Sequence, residues 1–330
     1  MNTAVLSVRG LRVEFPGLGY TVQAVRDCDL EVGAGEVLGL VGESGCGKSV
    51  TALACLGLVP APGHASGSIK LCGHEVIGNT ERALGELRGG TAAMIFQNPN
   101  AALNPFFTVG HQLTHPIRLH RGLRRAAARA AAVEALQAVR LSDPELALDR
   151  YPHQLSGGQL QRVMIAMAIA SRPRLLIADE PTTALDVTVQ AQIIVLLREL
   201  AASTGLTVLF ITHDLGVVAT LCDRVAVMYA GTVVEQGPVG AVIGSPAHPY
   251  TGKLLGAVPK IGQGRGELAS IPGQVPNLAA PPSGCAFHPR CERASSSCEQ
   301  RRPAPHAVEG PHLAACHHPL APTAAAAGAR

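Results

Sequence analysis

Gly42-Glu43-Ser44-Gly45-Cys46-Gly47-Lys48-Ser49 fits the pattern G-x-x-x-x-G-K-[ST], and the chemistry open to it is the capture of a polyphosphate. Glycine carries no side chain, so the amides of Gly42, Ser44, Gly45 and Gly47 can turn inward around phosphate oxygens, and a following helix start adds its positive dipole end. Lys48 would neutralise the β and γ oxygens of a nucleotide such as ATP, and Ser49 would ligate Mg²⁺. A second element, Leu175-Leu176-Ile177-Ala178-Asp179-Glu180, is a short apolar run that ends in two carboxylates. A buried parallel strand delivers polar groups in this way to the ligand edge of an α/β sheet. Asp179 would hold the Mg²⁺ shell and Glu180 would polarise an attacking water. Adjacent acids after a strand can equally cap a helix, and Pro181, Thr182 and Thr183 could form such a cap. The third element is Leu155-Ser156-Gly157-Gly158-Gln159. Alone it reads as a Gly-rich helix start; its place between the other two suggests more.

These residues need elements to position them. The apolar stretch from Val37 to Val41 precedes the phosphate loop, and Ser49 to Leu58 can run on as a helix, which is the strand-to-helix setting the motif requires. Gln97 follows the apolar run Ala92 to Phe96, and His213 follows Val208 to Thr212, so both fall at strand ends where such a sheet carries its ligand. Asp186 stands where a helix starts and can cap it. Tyr20, upstream of the loop, either stacks on adenine or packs in a hairpin or core. Antiparallel strands are expected from Val5 to about Val32 and near Ile69 to Val76, with further strands at Leu175, Val208 and Val225. Between Gln97 and about Ser171 the pattern is helical. The fold class is α/β: a phosphate-loop NTPase with a RecA-like core, an antiparallel β subdomain, a helical subdomain and a small irregular C-terminal extension.

In this order, Gly42 to Ser49, Gln97, Leu155 to Gln159, Leu175 to Glu180, Asp186 and His213 resemble the nucleotide-binding subunit of ABC transporters over roughly the first three quarters of the chain. The resemblance implies an active ATPase whose subunits dimerise head to tail. Each ATP would lie between the phosphate loop of one subunit and the pentapeptide of the other, so that Ser156, Gly157, Gly158 and Gln159 serve a γ-phosphate bound mainly by the partner. That agrees with the attraction of a helix N-terminus for anions and with a clamp that lasts only while the γ-phosphate is intact. It implies that His213 contacts the γ-phosphate and orients the water. It also implies that Gln97 serves catalysis and Mg²⁺ at the hinge of the helical insert, about 98–171, which sits on membrane subunits. Asp186 and Tyr20 join the ATP site. Gln97-Asn98-Pro99-Asn100-Ala101-Ala102-Leu103-Asn104-Pro105 and His248-Pro249-Tyr250-Thr251 resemble the dipeptide and oligopeptide importer branch. The implied division is a nucleotide-binding domain over 1–244, the branch's extension over 245–322 and a flexible tail over 323–330.

Nine cysteines occur, and Cys285, Cys291, Cys298 and Cys316 crowd into the extension. Four thiolates can surround one soft centre. A disulfide reading is disfavoured for a chain kept in a reducing compartment. Spacing does not choose between zinc and an iron–sulfur cluster; the resemblance implies a [4Fe–4S] cluster, with Zn²⁺ as the alternative. Its role would be to staple a Pro-rich segment too short to build its own core. His288, His317 and His318 read as a polar flank.

With 47% hydrophobic and 15% charged residues, the 330-residue chain is globular with a substantial core, as one large or two modest domains. No run approaches the roughly 18 apolar residues of a membrane span, and Met1 to Arg9 lacks the features of a secretory signal. We therefore expect a cytosolic chain that would have to dock on other subunits to work at a membrane. The resemblance implies a peripheral protein on the cytoplasmic face of the cell membrane, with a second, related ATPase subunit, two permease subunits and, indirectly, an extracytoplasmic solute-binding protein as partners. The balance of 27 basic and 24 acidic side chains leaves no footprint for nucleic acid. Arg121, Arg124, Arg125 and Arg129, at helical spacing, read as a solvated face or a lipid-facing patch. A soluble ABC ATPase of DNA repair or translation is the alternative function, but such proteins carry two nucleotide domains or a long coiled coil, and this chain shows one motif set and no sustained heptads. An unrelated phosphate-loop kinase or GTPase would lack Leu155 to Gln159.

Overall fold

The computed structural model describes residues 4–183, 185–258 and 271–321. The expected tail at 323–330 lies outside them. The chain opens with β1 (Ala4–Pro16) and β2 (Thr21–Gly33), then β3 (Val37–Val41) leads through the phosphate loop into α1 (Lys48–Cys55). After β4 (His64–Leu71), β5 (His74–Glu75), α2 (Glu81–Leu87) and β6 (Ala92–Ile95) comes a helical run. It holds α3 (Pro99–Ala102), α4 (Val109–Arg121), α5 (Arg125–Ala138), α6 (Pro144–Leu148) and α7 (Gly157–Ala170). The sequence next forms β7 (Leu175–Asp179), α8 (Val187–Thr204), β8 (Thr207–Thr212) and α9 (Leu215–Leu221). Then follow β9 (Arg224–Tyr229), β10 (Thr232–Pro238), α10 (Val239–Gly244) and α11 (Pro249–Gly256). The described part of the extension ends with α12 (Ser296–Gln300), β11 (His306–Glu309) and β12 (His312–Ala314).

The described residues divide into two compact units. One holds 4–6, 31–37, 70–183 and 185–211. Its sheet runs β8-β7-β6, all parallel, with Ala178 opposite Phe210 and Ile95 opposite Ala178. β7 is buried along its whole length, as an apolar strand covered on both faces must be. In the same unit α4, α5 and α7 pack together. Ala128, Ala131, Ala132, Ala135 and Leu136 form the buried face of α5, so the Ala-rich sequence permits close helix approach. The arginine run does not form one helical face, because Gly122, at φ 65°, ends α4 after Arg121. Arg121 donates to the Ala170 carbonyl, and Arg129 pairs with exposed Asp149 at 3.1 Å.

The other unit holds 7–30, 38–69, 212–258 and 271–321. In it β1 lies between β2 and β4, and a second sheet runs β11-β12-β10-β9-β3. β3 is parallel to β9, while β10 returns antiparallel with a bulge between Val233 and Glu235. The extension is less irregular than expected: β12 pairs with β10, setting Ala314 opposite Glu235, and β11 pairs with β12. Glu235 is buried and accepts from the amides of Ala247 and His248 at 2.7 and 2.8 Å and bonds His312 Nε2 at 2.7 Å. Tyr229, Tyr250 and Phe287 form an aromatic cluster with centroids 4.5–5.4 Å apart.

His248, the N-cap of α11, ties acid stability to this unit. Its Nδ1 accepts from the Tyr250 amide at 3.0 Å, and burial pushes the imidazole down to about 3. The unfolded chain holds the same ring near its ordinary value of about 6.5, so between these values the unfolded state binds the extra proton. Stability is therefore full above pH ~6.5 and declines as pH falls through the window, by up to about 1.4 kcal/mol per pH unit. Urea midpoints at a series of pH values will show this slope, and His248→Asn, whose side-chain oxygen can cap the same amide, will flatten it. An equal slope in wild type and variant would refute the assignment.

Candidate functional site

β3 is buried at every position and delivers Gly42 at its carboxyl end. Two loop positions admit only glycine. A Cβ on Gly42, at φ 154°, would lie 2.1 Å from the Met228 carbonyl oxygen, and one on Gly47, at φ 105°, 2.4 Å from that of Ala24. Lys48 is buried, and its Nζ donates to the carbonyls of Gly42 at 2.8 Å and Glu43 at 3.0 Å. The loop thus curls around its own ammonium. Gly47 caps α1 without a side-chain bond, and Ser44, Gly45 and Ser49 are exposed around the start of this helix, where the backbone dipole favours an anion. Burial raises the Cys46 thiol although Lys48 opposes it, so this loop sulfur is a packed thiol and no nucleophile. The helix is shorter than its expected run to Leu58: it stops at Cys55, where Leu56 and Gly57, at φ 63°, turn the chain.

In the other unit, Asp179 is the buried last residue of β7 and Glu180 is half-buried just beyond it. Glu180 sits at φ 45°, a left-handed conformation that costs a residue with a Cβ about 1–3 kcal/mol and recurs at functional positions. Its amide donates to the Ile211 carbonyl at 2.9 Å. Its Oε2 accepts from Gln97 Nε2 at 3.0 Å and Thr183 Oγ1 at 2.9 Å. Gln97 and Glu180 are thereby brought together from 83 positions apart. The helix that follows is capped by Asp186, whose Oδ1 accepts from the Val189 amide at 2.9 Å, so the acid pair is not its cap. A fixed carboxylate at a strand end can polarise a water, and a buried neighbouring carboxylate can hold a Mg²⁺ shell.

The Leu155 to Gln159 run is indeed a helix start. Ser156 Oγ accepts from the Gln159 amide at 3.4 Å and Gln159 Oε1 from the Ser156 amide at 3.0 Å, a capping box on α7. Glycine in a helix weakens it by roughly 0.5–1 kcal/mol relative to alanine. Nothing inside the chain demands glycine at 157, because a Cβ there would meet no atom within 4 Å. Ser156 and Gly157 are exposed, and bare backbone on an open helix N-terminus suits an approaching anion or chain.

His213 follows β8 directly and is exposed, in the unit that holds the phosphate loop. Tyr20 is 57% exposed in the turn between β1 and β2, with its ring against Gly17, where a Cβ would lie 2.7 Å from it. It therefore packs the hairpin and still presents an aromatic surface. Cys285, Cys291, Cys298 and Cys316 all line one small cavity. All nine cysteines are free thiols, and among the described residues no three His, Cys, Asp or Glu side chains are grouped as ligands of a single metal ion. Burial raises the Cys285 thiol and pushes Cys316 up to about 11. The histidines of this cavity have other partners: His288 Nδ1 bonds the Cys285 carbonyl, His317 Nε2 that of Arg301, and His318 Nε2 bonds Ser295 Oγ, at 2.9, 2.8 and 2.7 Å. Sequence reasoning did not single out Phe106 and Phe107, which are 84% and 45% exposed at the start of the helical run. Their type favours the core, and no pattern in the sequence signals their exposure.

The model of a family described as "ABC transporter" matches residues 25–183, and that of "Oligopeptide/dipeptide transporter, C-terminal region" matches 234–298, which includes Cys298 but not Cys316. The chain is 47% identical to the oligopeptide transport ATP-binding protein OppD of Salmonella typhimurium, covering 96% of this chain and 94% of that one. It is 46% identical to the dipeptide transport ATP-binding protein DppD of Escherichia coli, covering 96% and 97%. Among solved structures it resembles the ATP-binding cassette MJ0796, captured as a post-hydrolysis dimer with ADP and Pi, with a TM-score of 0.64 and 27% identity over 71% of this chain and 98% of that one. CbiO1 from Clostridium perfringens, part of the cbiONQ ABC transporter complex, gives a TM-score of 0.62 at 27% identity, covering 73% and 91%.

Proposed function

The chain belongs to the ABC transporter family, as an ATP-binding subunit of the oligopeptide and dipeptide importer type, and on that premise we propose how its residues drive import. Its fold is the ATP-binding cassette fold, and its activity is ATP hydrolysis coupled to peptide-type import. Lys48 and the amides of Gly42, Ser44, Gly45 and Gly47 hold the phosphates, Ser49, Asp179 and Gln97 hold Mg²⁺, Glu180 activates the water and His213 orients it. Asp186 and the exposed ring of Tyr20 complete the nucleotide site. Ser156 to Gln159 serve the ATP of a second, related subunit; that the similar cassette MJ0796 was captured as a dimer bound to ADP and Pi supports pairing of cassettes. The observation that carries this reading is Glu180, held left-handed at a strand end with Gln97 and Thr183 on one oxygen. We assign 1–244 to the cassette and 245–322 to the extension.

Hydrolysis drives two membrane permease subunits, fed by an extracytoplasmic solute-binding protein, and the exposed Phe106 and Phe107 supply apolar contact for them. No helix among the described residues is long and apolar enough to cross a membrane, so attachment to the cytoplasmic face runs through those subunits. Purified from membranes through an affinity tag, the chain will bring hydrophobic permease subunits with it; ribosomes or DNA in their place would favour the repair or translation alternative.

The four cysteines fit a [4Fe–4S] cluster. Their thiols are the soft donors it takes, and all four line one cavity. Bound there, the cluster would cross-link the extension. Anaerobically prepared protein will show visible absorbance that dithionite bleaches, and a colourless preparation with stoichiometric zinc would overturn the cluster.

A further inference from the structure

The second residue of the phosphate loop is gripped from the C-terminal extension. Arg290 donates from Nη1 to Glu43 Oε2 at 2.7 Å and from Nη2 to Glu43 Oε1 at 3.0 Å, a two-pronged ion pair between residues 247 positions apart. The Arg290 side chain is only 4% exposed, and its remaining hydrogens are committed to the Pro272 and Ile271 carbonyls and the Tyr229 hydroxyl. The Glu43 amide donates to the Tyr250 hydroxyl at 2.9 Å, and that ring is fully buried against Tyr229 and Phe287. On its other side, the Glu43 carbonyl accepts from Lys48 Nζ. One residue therefore links the phosphate-binding ammonium to a buried guanidinium and a buried phenol.

We propose that Arg290 and Tyr250 are positioning residues for the phosphate loop, so that the C-terminal extension sets how tightly this chain holds the β-phosphate of its nucleotide. The inference rests on the reading that this loop binds ATP. A guanidinium fork fixes a carboxylate in direction as well as distance, which an ammonium does not. Arg290 has no water to retreat to, since separating a buried pair strands a charge. Glu43 therefore cannot drift without breaking several bonds at once, and the carbonyl that orients Lys48 stays fixed. The extension is equally constrained: Arg290 closes the turn His288–Arg290, and the next residue is Cys291, which lines the four-cysteine cavity. Ordering of that cavity and placement of the loop are thus mechanically joined within one unit.

The test measures ATP, ADP and AMP affinity by calorimetry on the full-length chain, together with KM and kcat in the assembled transporter. Tyr250→Phe keeps the packed ring and removes only the hydroxyl; Arg290→Met removes the fork, and Arg290→Lys returns the charge without it. Tyr250→Phe and Arg290→Met will weaken ATP and ADP by the same factor, about tenfold, as the loss of a hydrogen bond or charge-assisted pair allows. AMP, which lacks a β-phosphate, will be unaffected, KM for ATP will rise with kcat far less changed, and Arg290→Lys will recover part of the loss. A merely structural role would lower the urea midpoint and leave the ATP and ADP affinities of the folded variants at wild type, and that result overturns the proposal. If Arg290→Met does not fold, Tyr250→Phe decides alone. Lys48→Ala separates the premise: ATP binding retained there refutes the nucleotide reading itself, whereas its loss beside an unaltered Tyr250→Phe refutes only the brace.

Discussion

Glu180→Gln will bind ATP as wild type does and hydrolyse it roughly 10²–10⁴-fold more slowly, the range for loss of a general base. The substitution conserves size and still offers an oxygen to Gln97 Nε2 and Thr183 Oγ1, so the local geometry at the end of β7 survives. What is lost is the negative charge that draws a proton from water. The left-handed backbone at 180 will persist too, because it is fixed by the Glu180 amide bond to the Ile211 carbonyl and not by the side-chain charge. With hydrolysis blocked, the γ-phosphate remains and the two-subunit clamp lives longer. Single-turnover kinetics with radiolabelled ATP measure the chemical step directly; wild-type turnover in this variant would remove Glu180 from the role.

Gly157→Asp will abolish productive closure while leaving the chain folded. The position is open, since a Cβ meets nothing within 4 Å, and an acidic residue in the first turn of α7 favours the helix. The same charge faces the partner's γ-phosphate in the proposed dimer, where it repels instead of donating. Removing one donor from an anion-stabilising site costs on the order of 10²–10³-fold in rate, and an opposing charge costs at least that much. Binding of ATP to the variant's own phosphate loop will be unchanged. In an assembly where only this chain carries the substitution, hydrolysis will fail at the site whose phosphate loop belongs to the partner. Assigning the defect to one site with a Lys48→Ala chain as the reference checks this, and full activity would show that Gly157 faces no nucleotide.

Much of the candidate site was legible because its chemistry is local. The phosphate loop, the apolar strands that end at Asp179 and Thr212, and the Gly-rich helix start at Ser156 each depend on residues a few positions apart, and those patterns survive in one dimension. The helical stretch from Gln97 to Ser171 was equally visible in its periodicity. What escaped depends on partners distant in sequence. β11 and β12 span only His306–Glu309 and His312–Ala314, too short for an alternation to show, and they exist as strands because β10 offers an edge. The grip of Arg290 on Glu43 joins residues 247 positions apart, and an arginine beside a cysteine carries no mark of a buried ion pair. The arginines near 121–129 misled for the opposite reason: their spacing was helical, but Gly122 breaks the helix between them.

The proposed mechanism requires an ATP shared by two polypeptides. Light-scattering mass of the Glu180→Gln chain, mixed with its companion ATPase subunit and saturating Mg²⁺ and ATP, tests it most directly. A two-chain species that forms with ATP and falls apart with ADP is the predicted result. Single chains that hold ATP firmly and never pair, alone or with the companion, would contradict it.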